Sequence, residues 1–393
     1  MAYLKPSLAF ARASEPAKRL AVYIHWPYCA RICPYCDFNV FKDRRGEEPA
    51  ALARAIVADL AAPAAITGPR ELASIFLGGG TPSLMDPAWA GEMIAQARRL
   101  WTAAPDLEVT LEANPTDAEA ARFAAFADAG VTRLSLGLQS LDDAALTVLG
   151  RNHDAATAIR AAEAASRAFP RLSIDMIYAR PGQTPAAWAE ELSAAVDVGA
   201  EHVSPYQLTI EAGTAFDRAV RRGQFAPADA DTGAELFDTT QAVLQAAGFD
   251  AYEVSNHARG AAARSRHNLI YWQGCDYVGA GPGAHGRITV GGFRHATVAA
   301  GRPADYIARV AETGVGLATR EALDPREAAQ ERLLSGLRIT DGVPRAEVAA
   351  LEIAPETIAD LVRLGLLADD PARLRATSAG RLVLDRLTTE LAT

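Results

Sequence analysis

Between about residue 20 and residue 256 the chain alternates short β-type runs with Ala-rich stretches of helical periodicity. No other feature constrains the fold as strongly. The β-type runs are AVYIHW (21–26), SIFLGGG (74–80), LEVTLEAN (107–114), RLSLGLQ (133–139), RLSIDMIY (171–178), HVSPYQLTI (202–210) and AYEVSN (251–256). Between them EEPAALARAIVADLAA, TDAEAARFAAFADAG, TPAAWAEELSAAVDVG and DADTGAELFDTTQAVLQAAG repeat apolar residues at i, i+3 and i+4. Two of these carry end signals: Thr116 as cap with Gly130 as stop, and Thr184 as cap with Pro185 in the first turn and Gly199 as stop. Strand–helix–strand repetition requires parallel strands, since a tight turn joins only antiparallel ones. About six or seven such units fit a full or partial (β/α) barrel or an open doubly wound sheet. Periodicity does not separate the two, but the polar residues favour the barrel. Cysteines, GGGTPS, Glu112, Gln139, Asp175 and Gln207 fall at or just after strand C-termini, the edge on which barrels build their sites. The expectation is an α/β fold: a segment 1–19, then a partial barrel over 20–256.

The texture changes after 256. HNLIYWQGCDYVGAGPGAHGRITVGGFRHAT is rich in Gly and aromatics and reads as loops with a hairpin, a connecting region over 257–320. From 321 to 393, DPREAAQERLLSGLRI, PRAEVAALE and TIADLVRLGLL read as short helices, followed by a strand, a turn and a last helix. That pattern suggests a winged-helix-like module. Its candidate recognition segment ETIADLVRLGLLADD is acidic, and the whole chain has net charge −9, so no nucleic-acid partner is expected. No run of about 18 apolar residues stands out as a membrane span, and the N-terminal apolar patch is too short and too interrupted for a secretory signal. A cytoplasmic protein is expected, in which thiols stay reduced and crowded cysteines serve metals or catalysis rather than disulfides.

Three of the four cysteines are crowded into YIHWPYCARICPYCDFNV, at Cys29, Cys33 and Cys36. Three thiolates on one short loop can hold three irons of a 4Fe–4S cluster and leave the fourth iron open to a small molecule. A structural zinc site wants four ligands, and His25 is a candidate fourth. A redox pair, Cys33 and Cys36, would leave Cys29 unexplained. The amino and carboxylate groups of S-adenosylmethionine (SAM) suit an open iron, with the cofactors carrying the radical chemistry and the protein positioning them.

CARICPYC resembles the signature of the radical SAM superfamily. The wider YIHWPYCARICPYCDF is similar to the branch that holds oxygen-independent coproporphyrinogen oxidase and the HemW-like haem chaperones. The resemblance extends over nearly the whole chain, through FLGGGTPS, LEANP, RLSLGLQS, LGRNHD, SIDMIYARPGQT, SPYQLTIEAGT, YEVSN, RHNLIYW and VGAGPGAHGR. It implies a 4Fe–4S cluster on Cys29, Cys33 and Cys36. It implies SAM contacts from Gly79, Gly80 and Thr81 at the methionine end, and from Glu112, Gln139, Arg151 and Asp175 at successive strand ends. Tyr23 and Tyr35 match positions near the adenine and methionine. Two departures stand out: Ala179-Arg180, where the family commonly has Gly-Leu, and His257, where it commonly has Phe. The first adds a charge near the proposed site, and the second reads as a surface or loop histidine.

Two features separate the relatives within the branch. The oxidases carry a further cysteine two residues after the third, where this chain has Phe38. HNLIYW, with His267, Tyr271 and Trp272, matches a motif associated with haem handling: a histidine can ligate haem iron and aromatics can shield a macrocycle. The resemblance therefore implies a haem chaperone, with His267 as haem ligand and haem as cargo. Acceptors would be haem proteins, membrane-attached respiratory enzymes among them, and a homodimer is compatible with it. A coproporphyrinogen III dehydrogenase is the alternative, and a zinc-stabilised interaction protein the second. Cys275 reads as an inert small residue.

Overall fold

The computed structural model describes residues 19–42 and 48–392; apart from Arg19, the expected segment 1–19 lies outside them. Strands β1 (Arg19–Trp26), β2 (Glu71–Gly79), β3 (Thr102–Ala113), β4 (Arg133–Gln139), β5 (Arg171–Tyr178), β6 (His202–Gln207) and β7 (Asp276–Ala280) lie side by side in the order β7-β1-β2-β3-β4-β5-β6. Every neighbouring pair among them is parallel. Beyond β7, β8 (His285–Val290), β9 (Phe293–Ala299) and β10 (Leu317–Ala322) add antiparallel strands. The two ends of the strand order do not pair, so the barrel is partial. AYEVSN is not a seventh parallel strand: only its Ala251 joins a strand, Asp250–Ala251, which pairs antiparallel with His257–Ala258 at the edge.

The crossovers are helices whose ends follow the local chemistry. They are α1 (Glu48–Asp59), α2 (Pro87–Leu100), α3 (Ala155–Ala168), α4 (Pro185–Val196) and α5 (Ala230–Ala246). Side chains of Asp86, Asp154, Thr184 and Asp229 accept backbone N–H groups in the first turns of α2 to α5. TDAEAARFAAFADAG differs from the single helix expected, being two short pieces, Asp117–Ala120 and Phe123–Asp128. Glu48–Thr67 is long and apolar enough to meet the requirements of a membrane span, which sequence inspection missed. It folds as α1 and a second short helix, Ala61–Thr67, with Leu52, Ile56 and Leu60 buried in the main core.

RHNLIYW, expected as loop, is a helix: α6 (Arg266–Trp272), capped by Ser265. It closes the N-terminal end of the barrel. Backbone N–H groups of Arg266 and His267 donate to the carboxylate of Glu108 at 3.2 and 3.1 Å. Arg171, the first residue of β5, donates to the same carboxylate at 2.6 Å and to Glu201 at 2.8 Å. Glu108 is 1% exposed, and these donors replace the water its carboxylate would otherwise bind.

The C-terminal domain has its own core of Leu333, Leu337, Val343, Leu351, Leu374 and Leu391, among others. Helix α7 (Pro303–Thr313) packs on α1. Then α8 (Pro325–Gly336), α9 (Pro355–Arg363) and α10 (Leu384–Ala392) surround a two-stranded ladder, Val343–Pro344 with Arg373–Leu374. A capping box at Asp324 and Glu327 starts α8.

Replacing Glu108 by Ala would leave two helix N–H groups without their acceptor and Arg171 with Glu201 as its remaining carboxylate. The expected loss is about 1–3 kcal/mol of unfolding free energy in urea; a change within error would show that α6 is held by packing alone.

Candidate cofactor site

The C-terminal strand ends and the cysteine loop enclose a cavity of about 410 Å³. Cys29, Cys33 and Cys36 line it, with Tyr35, Gly79, Gly80, Thr81, Glu112, Gln139, Arg151 and Asp175. Eleven residues singled out in the sequence thus meet in one place. All three thiols are free of disulfides.

The loop is fastened from several sides. Gly80 N–H donates to Trp26 O and Thr81 N–H to Tyr28 O, both at 2.8 Å. A Cβ at Gly80 would lie 2.7 Å from Tyr28 O, so only glycine lets the turn come this close. Asn39, at the far end of the loop, donates to Pro282 O and Gly301 O at 2.9 and 2.8 Å. Arg151 spans the interior, donating to Cys33 Sγ at 3.3 Å, Tyr35 Oη at 3.4 Å, Gly137 O at 3.2 Å and the Asn114 side chain. One guanidinium therefore ties the cysteine loop to β3 and β4.

The polar groups that line the cavity are only partly satisfied among the described residues. Glu112 is half-buried on the cavity wall and accepts one hydrogen bond, from Gly79 N at 3.0 Å. Burial, and secondarily the nearby Asp175 carboxylate, push its pKa up to about 8. Burial also raises Asp175, against hydrogen bonds from Ser204 and Ser135. Gln139 has φ +66° in a non-glycine residue, and its buried Oε1 has no partner among the described residues. Burial pushes Cys29 up to about 11 and raises Cys36; metal binding must therefore release protons from these thiols.

These observations fit a cluster with SAM. Three thiolates suit three irons and leave one open. An underpartnered carboxylate beside Gly79 suits an ammonium, and the orphaned Gln139 oxygen suits a donor on the same ligand. Asp175, at a strand end with two serines beside it, suits ribose hydroxyls. His25 does not suit a fourth zinc position. Its Nδ1 is bonded to Tyr23 Oη and its Nε2 to Asn39 O, both at 2.9 Å, and its ring backs Gly79, where a Cβ would come within 2.5 Å.

Four expectations are corrected. Tyr23 does not line the cavity: its hydroxyl is spent on His25 and its ring packs inside the barrel near Phe76 and His267. His267 lies in α6, 1% exposed, with Nδ1 bonded to Ser74 Oγ at 2.9 Å and Nε2 to Tyr271 Oη at 2.8 Å; its ring stacks on Phe76. As folded it presents no nitrogen to a haem iron. Arg180 turns from the cavity to form a buried pair with Glu191 and donates to Ser140. His257 is buried rather than on the surface, with Nε2 at 3.2 Å from Gln241 Oε1. Ala179 beside Arg180 has φ +58°, the conformation that glycine takes without cost.

Sequence reading missed Ser135, Gly137, Ile177 and Tyr206, which also line the cavity. The signal was present as period two: Ser135, Gly137 and Gln139 alternate along β4, and Asp175 and Ile177 along β5.

Fold and site together define a radical SAM protein. The radical SAM superfamily matches residues 23–195 and the HemN C-terminal domain residues 323–383. In the solved structures, coproporphyrinogen III oxidase (HemN) of Escherichia coli, a radical SAM enzyme, shares the fold with a TM-score of 0.80. It is 20% identical, over 96% of this chain and 91% of that one. Radical S-adenosyl methionine domain-containing protein 1, mitochondrial, of Bos taurus is 41% identical over 94% of this chain and 87% of its own length. Heme chaperone HemW of Mycobacterium tuberculosis is 37% identical over 95% of each chain. The chain belongs to the radical SAM superfamily and, within it, to the HemW-like family.

A measurable consequence follows from Glu112. Its carboxyl holds a proton in the fold up to about pH 8 but loses it near 4.5 when unfolded. The folded state binds the extra proton between those values, so cluster-free and SAM-free protein loses stability as pH rises through that window. Glu112→Gln should flatten that part of the profile in melting temperature against pH; an unchanged slope would mean that the carboxylate is ionised in the empty protein.

Proposed function

We propose that this protein is a haem chaperone of the radical SAM type, which binds a 4Fe–4S cluster, SAM and haem and passes haem to acceptor haem proteins. The observation that carries the reading is the full-length likeness to HemW at 37% identity, together with Phe38 where the oxidase branch has a further cysteine. Phe38 lies on the cavity rim, 62% exposed, where it offers an apolar surface and no thiolate.

Within this reading Cys29, Cys33 and Cys36 hold the cluster. Gly79, Gly80 and Thr81 receive the methionine end of SAM, Glu112 and Gln139 its polar groups, and Asp175 the ribose. Bound together, cluster and SAM supply one-electron chemistry at the sulfonium. Arg151 keeps Cys33 and Tyr35 in register with β3 and β4. The rim residues Ile32 and Phe38 limit the access of water to the cysteine loop. The acceptors in this reading are respiratory haem enzymes at the membrane, and the chaperone works from the cytoplasm.

The test is anaerobic reconstitution with iron and sulfide, followed by haem titration at the Soret band and a SAM-cleavage assay. Stoichiometric haem uptake by wild-type protein is expected, with cluster content lost in Cys36→Ser. No haem uptake would sink the chaperone reading. Anaerobic formation of protoporphyrinogen would transfer the protein to the oxidases, the class whose fold it shares. Zinc in place of a brown chromophore would remove the radical SAM chemistry altogether.

A further inference from the structure

Each of the three loop cysteines meets a hydrogen-bond donor. Arg151 Nη1 donates to Cys33 Sγ at 3.3 Å. Burial raises the Cys36 thiol, and the Phe38 N–H opposes that rise from within the loop. Thr81 N–H donates to Tyr28 O at 2.8 Å, which brings its side chain alongside the next residue, Cys29. Burial raises the Cys29 thiol too, and the Thr81 hydroxyl, as a hydrogen-bond donor to its sulfur, opposes that rise. The Phe38 donor is fixed by the backbone of the loop. The other two are side-chain groups that can turn, and both meet one residue, Asn114.

Asn114 directly follows β3 and lines the cofactor cavity. Its Oδ1 accepts from Arg151 Nη2, and its Nδ2 donates to Thr81 Oγ1 at 3.1 Å. Chemistry dictates this orientation. A guanidinium only donates, so the amide oxygen must face Arg151 and the amide nitrogen must face Thr81. A hydroxyl that accepts from Nδ2 keeps its own hydrogen for another acceptor, and Cys29 is the acceptor beside it. The donors therefore run in one direction, from Arg151 through Asn114 and Thr81 to Cys29, while Arg151 reaches Cys33 itself. Asn114 is anchored in turn. Its N–H donates to Glu119 Oε2 at 2.9 Å, and Glu119, 5% exposed, also accepts from the Ser83 hydroxyl. One buried carboxylate thus holds Asn114 and the turn that carries Thr81 at a fixed separation.

We propose that Asn114 is a positioning residue for the cluster: its amide fixes the direction of the hydrogen bonds that Thr81 and Arg151 give to Cys29 and Cys33, and so sets the reduction potential. The assignment rests on the reading that these cysteines hold a 4Fe–4S cluster. Donors to ligating sulfurs stabilise the reduced, more negative cluster and raise its potential. Asn114 acts through its two neighbours.

The experiment uses the full-length protein reconstituted with iron and sulfide, without SAM, in a redox titration followed by electron paramagnetic resonance. Asn114→Asp keeps the shape but offers only acceptor oxygens, so the Thr81 hydroxyl turns toward it and leaves Cys29. Thr81→Val keeps the shape and removes the hydroxyl. At a fixed applied potential each should lower the ratio of reduced to oxidised cluster by at least about threefold, with iron content unchanged. Thr81→Ser should restore the ratio. The double variant should lose no more than Asn114→Asp alone, because the hydroxyl is the shared route. Losses that multiply across the two substitutions would show that the added charge acts by itself and would overturn the role of Asn114. An undiminished ratio in Thr81→Val would overturn it as well, while leaving the cluster reading intact. Wild-type protein that assembles no cluster would overturn both.

Discussion

One buried carboxylate divides this molecule. Glu108, on β3, gathers Arg171 and the first N–H groups of α6 and so fixes a short helix across the floor of the barrel. A seven-residue helix has little stability of its own, since nucleation consumes most of what its few hydrogen bonds return. Its place depends on Glu108 below and on Phe76, Ser74 and Tyr23 around His267. With that floor in position, the barrel has a cofactor cavity at the strand C-termini and a second cavity outside the opposite end.

The C-terminal edge was legible because parallel strands leave little freedom. When every strand runs the same way, a polar residue at the end of an apolar run has to face one rim. Glu112, Gln139 and Asp175 were found by that rule, and the three cysteines by their crowding. Tyr23 was misplaced for the same geometric reason. It shares a face of β1 with His25, the next residue toward the rim, and its hydroxyl is bonded to that ring, which backs Gly79 and stands between Tyr23 and the cavity. Nearness in sequence to a cysteine says nothing about which face a side chain occupies.

The remaining misreadings share a cause: each partner sits on another element that only the fold brings alongside. His267 accepts its fate from Glu108, 159 positions away, and from Ser74, 193 away. Arg180 is neutralised by Glu191 and donates to Ser140, so a charge that looked available to a ligand is consumed by α4 and the β4 turn. His257 enters a two-residue strand whose register comes from Val203. Such residues reveal polarity in the sequence, but only the fold decides whether the polarity serves the interior or a ligand.

A buried file of hydrogen bonds runs from β6 to the wall of the second cavity. Ser204, paired in register with Asp175 of the cofactor cavity, donates to Asn256 at 3.0 Å, and Asn256 donates to Glu253. Arg338, from the C-terminal domain, donates to the other oxygen of Glu253 at 3.1 Å, and its guanidinium lies 4.6 Å from the centre of the Trp272 ring. Ser204, Asn256 and Glu253 are all buried, so each link lies in a low-dielectric setting where a lost partner is costly. Arg338 cannot follow a displaced Trp272 and also stay on Glu253. If it moves, a carboxylate that is 1% exposed loses its cation while Asn256 and Ser255 still point at it. The indole on the wall of the second cavity is therefore restrained by a buried chain that ends at Ser204, the strand neighbour of Asp175 in the first.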